Sequence, residues 1–126
     1  MENLRIESTE RTPEIDFNFE TGVFSIKSES YPEDVTEFYG PVMSRLKSWL
    51  ESRAGAEVVF NFELIYFNSS TAKILMDLFD LLDEAAEENR VTVNWIYEKD
   101  DDNIEELGEE FGEDLETAQF NMVPKE

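Results

Sequence analysis

At 126 residues, with 40% hydrophobic side chains, ten Phe, four Tyr and two Trp, the chain can fill one domain core and does not have the composition of a disordered acidic tail. It has no cysteine and no histidine, which excludes disulfides, thiol nucleophiles, Cys/His zinc sites and histidine acid–base chemistry. Thirty-one acidic against ten basic residues give a net charge of −21, a surface that repels nucleic acids and anionic membranes. Such a surface would attract a basic protein, or mimic DNA towards a DNA-binding protein. Carboxylates spread along several elements also read simply as a solvated exterior. No apolar run approaches a membrane span, and Met1-Glu2-Asn3-Leu4-Arg5 has no signal-peptide pattern, so a soluble, cytoplasmic protein is expected.

Residues 1–12 are polar and read as a loose or extended start to a single domain covering 1–126. Ile15, Phe17 and Phe19 then alternate with Asp16, Asn18 and Glu20. After Thr21-Gly22, Phe24 and Ile26 alternate with Val23, Ser25 and Lys27, the period-2 pattern of a hairpin with one apolar face. Pro32 stops the second strand, and Asp34 can cap a helix with Val35, Phe38, Val42, Leu46 and Trp49 on its apolar side. Gly55 ends the following connection. Val58, Phe60, Phe62 and Leu64 predict a strand that runs to Phe67, and a long helix follows from about Ser70 to Asn89. Val91, Val93, Trp95 and Tyr97 predict another strand. A short helix carries Ile104, Leu107 and Phe111, and Phe120 to Val123 can add an edge strand.

The order β-β-α-β-α-β-α-β predicts an α/β fold, with an N-terminal β-hairpin and then right-handed parallel crossovers. Doubly wound sheets bury both faces and read as unbroken apolar strands. Nearly every strand here has one apolar and one mixed face. The expected fold is therefore a mixed sheet with its three helices on one face and the other face wet.

Asn68-Ser69-Ser70-Thr71 places three consecutive hydroxyls where the Val58–Phe67 strand hands over to the long helix. The N–H groups of a first helical turn lack intrahelical partners and the helix dipole is positive there, so a phosphate would meet ready donors. The same residue types are ordinary N-caps, and that structural reading stands beside the phosphoacceptor one.

Along the helix, Thr71, Leu75, Leu78, Leu82 and Ala85 form a core stripe flanked by Ile74 and Leu81. Ala72, Met76, Phe79 and Ala86 widen the apolar arc on the other flank. Two readings explain that width: a docking surface for a partner, or a helix sunk between two neighbours. The run Asp100-Asp101-Asp102-Asn103 lacks the glycine and distant glutamate of a calcium loop and reads as an acidic helix start, so no metal site is expected. No carboxylate pair stands out for acid–base catalysis, and there is no glycine-rich phosphate loop. No enzyme activity and no cofactor are expected.

Several segments together resemble a known family. These are Ser30-Tyr31-Pro32-Glu33, Phe38-Tyr39-Gly40, Tyr66-Phe67-Asn68-Ser69-Ser70 and Met76-Asp77-Leu78-Phe79-Asp80-Leu81-Leu82, with Glu105-Glu106-Leu107 to Glu109-Glu110-Phe111. At closely similar spacing over nearly the whole chain, they resemble the SiaC-like bacterial regulators of biofilm formation, a branch of the STAS domains of anti-sigma-factor antagonists. The resemblance implies a STAS-like, non-enzymatic switch protein. Its members are phosphorylated at the head of this helix by a dedicated Ser/Thr protein kinase and dephosphorylated by a PP2C-type phosphatase. Their unphosphorylated form binds and activates a diguanylate cyclase, in cyclic di-GMP signalling. In SiaC-like members the phosphoacceptor directly follows the Asn, which is Ser69 here. The classical antagonists have Asp-Ser-Ser/Thr followed by Gly-Leu-Gly with the second hydroxyl modified, which would be Ser70. Asn68 in place of that Asp, and Thr71-Ala72-Lys73 in place of the glycine turn, point away from a classical anti-anti-sigma role and put Ser69 ahead of Ser70. The flank made by Ala72, Met76 and Phe79 is the expected cyclase contact.

Overall fold

In a computed structural model that describes residues 2–125, six strands form one sheet in strict chain order. They are β1 (Leu4–Ile6), β2 (Glu14–Asn18), β3 (Val23–Ser30), β4 (Glu57–Phe67), β5 (Arg90–Glu98) and β6 (Gln119–Lys125). Strands β1 to β3 are antiparallel neighbours, and β3 to β6 are parallel. Helices α1 (Val35–Glu51), α2 (Ser69–Ala85) and α3 (Asp102–Glu113) make the three crossovers. Because each parallel crossover steps the same way along the sheet and keeps the right-handed sense, all three helices land on one face. The expected mixed α/β sheet covered on one side is the fold observed.

Of the two expectations for the N-terminus, loose or extended, the extended one holds at residues 4–6. Residues 4–6 are a strand, with Leu4 opposite Phe17 and Ile6 opposite Ile15. Three residues are too few to show a period, yet Leu4 and Ile6 straddle exposed Arg5 and pack against the core. The hairpin turns at Gly22, whose φ of 77° L side chains rarely adopt.

The covered face is aromatic. Phe17, Phe24, Phe60, Phe62 and Trp95 are at most 1% exposed and meet ring to ring across β2 to β5. Helix α3 approaches closely through Gly108 and Gly112. A Cβ on Gly108 would lie 2.3 Å from the Trp95 ring, and one on Gly112 2.4 Å from Phe120. The Trp95 indole N–H donates to the Ile104 carbonyl at 3.0 Å. Gly40 differs: it sits exposed inside α1, before Pro41, where a Cβ would meet nothing within 4 Å. Helix-interior glycine costs roughly 0.5–1 kcal/mol relative to alanine, but before a proline it removes the Cβ that would crowd the Pro41 ring in helical conformation.

The uncovered face is polar across its middle. Asn94 donates to Asn61 and Asn121 donates to Asn94, both at 2.9 Å, a side-chain ladder running over three parallel strands. Lys125 bridges Glu63 and Glu98 at 2.9 and 3.2 Å.

Helix α2 ends at Ala85, earlier than the apolar pattern predicts. The buried Asn89 side chain caps the end, donating to the Ala85 and Arg53 carbonyls and accepting from Ala56 N–H. On the same helix, Asp83 gathers the N–H groups of Glu116, Thr117 and Ala118 at 2.8–3.2 Å, which fixes the α3–β6 connection to α2. Desolvation alone would raise the Asp83 carboxyl, but the three backbone donors outweigh it and hold it below its ordinary value.

A folded-state pKa below the unfolded one stabilises the fold above the unfolded value, and that contribution disappears as pH falls through the folded value. Asp83→Asn is therefore expected to lower unfolding free energy at pH 7 by about 1 kcal/mol, a charge-assisted bonding value discounted for solvent screening. The difference from wild type should vanish once the pH drops well below about 4. Urea unfolding of both proteins at several pH values measures it.

Candidate functional site

The chain leaves β4 at Phe67, and Asn68 makes the turn with extended backbone (φ −89°, ψ 178°). Its side-chain carbonyl accepts the Thr71 N–H at 3.0 Å, and its main-chain carbonyl accepts the Ala72 N–H at 2.9 Å. Asn68 is thus the N-cap of α2, and Ser69, Ser70 and Thr71 are its first three residues. Among the described residues, no group bonds the N–H of Ser69 or Ser70. Both side chains are exposed, and the first turn contains no carboxylate. In a chain of net charge −21 this first turn carries no acidic residue of its own, leaves two donors free and is the positive end of a dipole.

Thr71 has a different role. It is fully buried, and its hydroxyl lies 3.0 Å from both the Ser30 carbonyl and the Ser30 hydroxyl. Ser30 Oγ is also 2.6 Å from the Tyr39 hydroxyl. A carbonyl only accepts, so Thr71 must donate to it. Ser30 then donates to Thr71, and Tyr39 donates to Ser30. This buried chain, Tyr39 to Ser30 to Thr71 to the Ser30 carbonyl, joins the start of α1, the end of β3 and the head of α2. Burial pushes the Tyr39 phenol up to about 12, with the Ser30 hydrogen bond opposing the rise, so it remains a donor at neutral pH.

The expected residues separate by helical geometry. Ser69 and Met76, seven residues apart, lie nearly on one line along α2, about 10 Å apart at 1.5 Å rise per residue. Met76 is 54% exposed, and Ala72 is half-buried. Lys73, the only basic residue of α2, stands one turn beyond Ser69 and is exposed. Ser70 shares its line instead with the carboxylate Asp77.

Phe79 corrects the expectation of a docking flank. It is 2% exposed, with its ring 5.0 Å from Phe62 and 5.4 Å from Phe111. The wide apolar arc of α2 exists because the helix is sunk between α1 on one side and α3 with β6 on the other. Of the three residues expected to contact a partner, Met76 alone is openly exposed. The acidic run before α3 is a cap, with Asp101 accepting the Ile104 N–H at 3.0 Å. No group of three or more carboxylates converges among the described residues.

Comparison with known proteins places this arrangement. Residues 6–125 match the family model described as SiaC family regulatory phosphoprotein. The chain belongs to the SiaC family. An uncharacterized protein of Pseudomonas aeruginosa strain UCBPP-PA14 is 35% identical over 115 residues, 90% of each chain. The crystal structure of apo-SiaC from Pseudomonas aeruginosa superposes with a TM-score of 0.87 at 34% identity, covering 98% of this chain and 99% of that one. SiaC in complex with the diguanylate cyclase SiaD, described there as its activator, gives 0.85 at 31% identity over 94% and 98%. No described helix is long and apolar enough to cross a membrane.

Within this SiaC-family fold, sequence patterns find the cap and the two exposed serines but miss Ser30 and Tyr39. Ser30 looks like a polar strand end, and Phe38 looks like the inward residue of α1, although Phe38 is half-buried and Tyr39 is 1% exposed. The available signal was the spacing of Tyr39, Val42, Leu46 and Trp49, which follows the helical period.

Replacing Thr71 by the isosteric Val removes one link of the buried chain and leaves the Ser30 hydroxyl without its acceptor. The expected cost is about 1–3 kcal/mol in urea unfolding, with faster hydrogen exchange at the head of α2. Phe79→Ala, expected to cost about 3–5 kcal/mol, should report on folding and not on partner binding.

Proposed function

We propose that this protein is a phosphorylation-controlled binding module whose unphosphorylated form binds and activates a diguanylate cyclase. The observation that carries the reading is the likeness, over 94% of this chain, to SiaC in complex with the cyclase SiaD, joined to membership of a family of regulatory phosphoproteins. A Ser/Thr protein kinase and a PP2C-type phosphatase set the state of the switch, and the protein itself catalyses nothing. It works in the cytoplasm.

Ser69 is the proposed phosphoacceptor, with Ser70 the alternative. A phosphate adds about −1.5 to −2 charges. At Ser69 it stands beside the free first-turn donors and one turn from Lys73, whereas at Ser70 it faces along the line of Asp77. Helix-end stabilisation of roughly 0.3–1 kcal/mol offsets repulsion from carboxylates beyond about 8 Å, which salt screens. The buried chain through Thr71 is untouched, so phosphorylation leaves the fold intact and changes only the surface. The proposed cyclase contact includes the Ser69 end of α2, half-buried Ala72 and exposed Met76. A phosphate inside that contact would lose hydration that the first-turn donors and the single charge of Lys73 replace only in part, and would weaken it.

Affinity for the cognate cyclase, measured side by side, is expected to fall at least about tenfold on phosphorylation of Ser69, equivalent to ~1.4 kcal/mol. Ser69→Ala should bind like the unmodified protein and ignore the kinase, and Ser69→Asp should weaken binding only in part. Met76→Ala should cost about 1 kcal/mol or more if Met76 is a buried anchor. Equal affinities of the modified and unmodified forms would remove the switch from the account.

A further inference from the structure

The uncovered face of the sheet differs from the rest of the surface in charge. Alternation along the strands puts four cations on it, Arg5, Lys27, Arg90 and Lys125. It puts six anions there, Glu14, Asp16, Glu29, Glu57, Glu63 and Glu98. The face therefore carries −2 of the net −21, and the other 25 acidic and 6 basic residues leave −19 elsewhere. Its charges are also matched in register. Arg5 stands opposite Asp16, Lys27 opposite both Glu14 and Glu63, Arg90 opposite Glu57, and Lys125 opposite Glu98. Every cation thus has an anion beside it on the next strand, and only Glu29, opposite Tyr66, lacks a cation there.

Exposed apolar side chains give a second, independent observation. Five large ones are openly exposed among the described residues, and four lie on these strands: Val23 (42%), Ile65 (61%), Tyr66 (50%) and Val123 (37%). Ile65 and Tyr66 are exposed together because β4 has one extra residue opposite Ser28 and Glu29, between inward Leu64 and Phe67. Little net charge combined with exposed aliphatic and aromatic side chains is the composition of an interface.

We propose that this face is the contact between two copies of the chain, packed sheet to sheet about a two-fold axis. A basic partner is drawn to the helix side, where the negative charge lies, and an acidic one is repelled there. A second copy can approach only here, because everywhere else −19 meets −19. The mixed signs of the face are self-complementary, so a two-fold axis can set cations of one copy against anions of the other. Facing sheets pack about 10 Å apart, and each helix layer adds about 10 Å behind its own sheet. The acidic outer surfaces of the two copies then stand several Debye lengths of about 8 Å apart, where salt screens their repulsion. Six strands about 4.8 Å apart and about 25 Å long give roughly 700 Å² per copy, close to the about 800 Å² per partner of a standard specific interface. The inference does not rest on the switch, because Ser69 belongs to the helix layer and the contact needs no phosphate.

Sedimentation equilibrium of the full unphosphorylated chain across about 5–500 µM tests it. The mean mass is expected to rise from 14.7 kDa towards twice that value. Association should tighten at least about threefold between roughly 0.05 and 0.5 M NaCl, because salt screens the repulsion of two acidic chains. Val23→Asp and Ile65→Asp, both at exposed positions, should each weaken association at least about tenfold with an unchanged thermal midpoint. If one of them does not fold, the other decides. Ser48→Asp, the same charge change at an exposed position of α1, should stay within about twofold. A mass of 14.7 kDa at every concentration in both salts, wild-type association in either folded sheet variant, or equal weakening by Ser48→Asp would overturn the proposal. Ser69→Ala should associate like wild type, so failure here is distinguishable from failure of the switch.

Discussion

Ser30 holds three elements together with two oxygen atoms. Its hydroxyl accepts from Tyr39 on α1 and donates to Thr71 on α2, and its carbonyl accepts from the Thr71 hydroxyl and the Asn68 N–H. The end of β3 is therefore tied to the start of both long helices in a dry site, where an unmet hydroxyl is expensive and a met one is rigid. Everything proposed for the head of α2 depends on this. With Thr71 fixed inward and Asn68 fixed as the cap, the helix can begin only at Ser69, and its first two hydroxyls must face outward.

Charge makes that outward position unusual. Almost any surface point of a chain at −21 is a poor place for another anion. The first turn of α2 carries no carboxylate, leaves two N–H groups unbonded and is followed by the only lysine of the helix. Acidic residues resume with Asp77 and continue to the C-terminal end, where Asp83 is itself occupied by three backbone donors. The same helix thus combines an anion-tolerant head, an acidic rim on its α1 side and a structural carboxylate on its α3 side.

Much of the fold was legible because one-sided burial writes a period of two on strands and of 3.6 on helices. The hairpin, the three crossovers and the single covered face follow from Phe17, Phe24, Phe60 and their alternating polar neighbours. What was not legible depended on a second element. Phe79 has the same helical phase whether α3 covers it or a partner does, and only the tertiary packing of Phe111 and Phe120 decides. Leu4 and Ile6 are too few to make a pattern. Ser30 and Tyr39 are polar residues that become core only because each completes the other's hydrogen bonding. The exposed serines were legible as a cap sequence, and only the resemblance to SiaC-like regulators suggested the modification proposed for them.

The buried hydroxyl chain reserves Thr71 for structure and leaves Ser69 exposed, where the proposed modification would fall. Mass spectrometry after incubation with the proposed Ser/Thr protein kinase and ATP locates the phosphate. The expected result is a single phosphate on Ser69. A phosphate on the buried Thr71, or anywhere outside residues 69–71, would contradict the account.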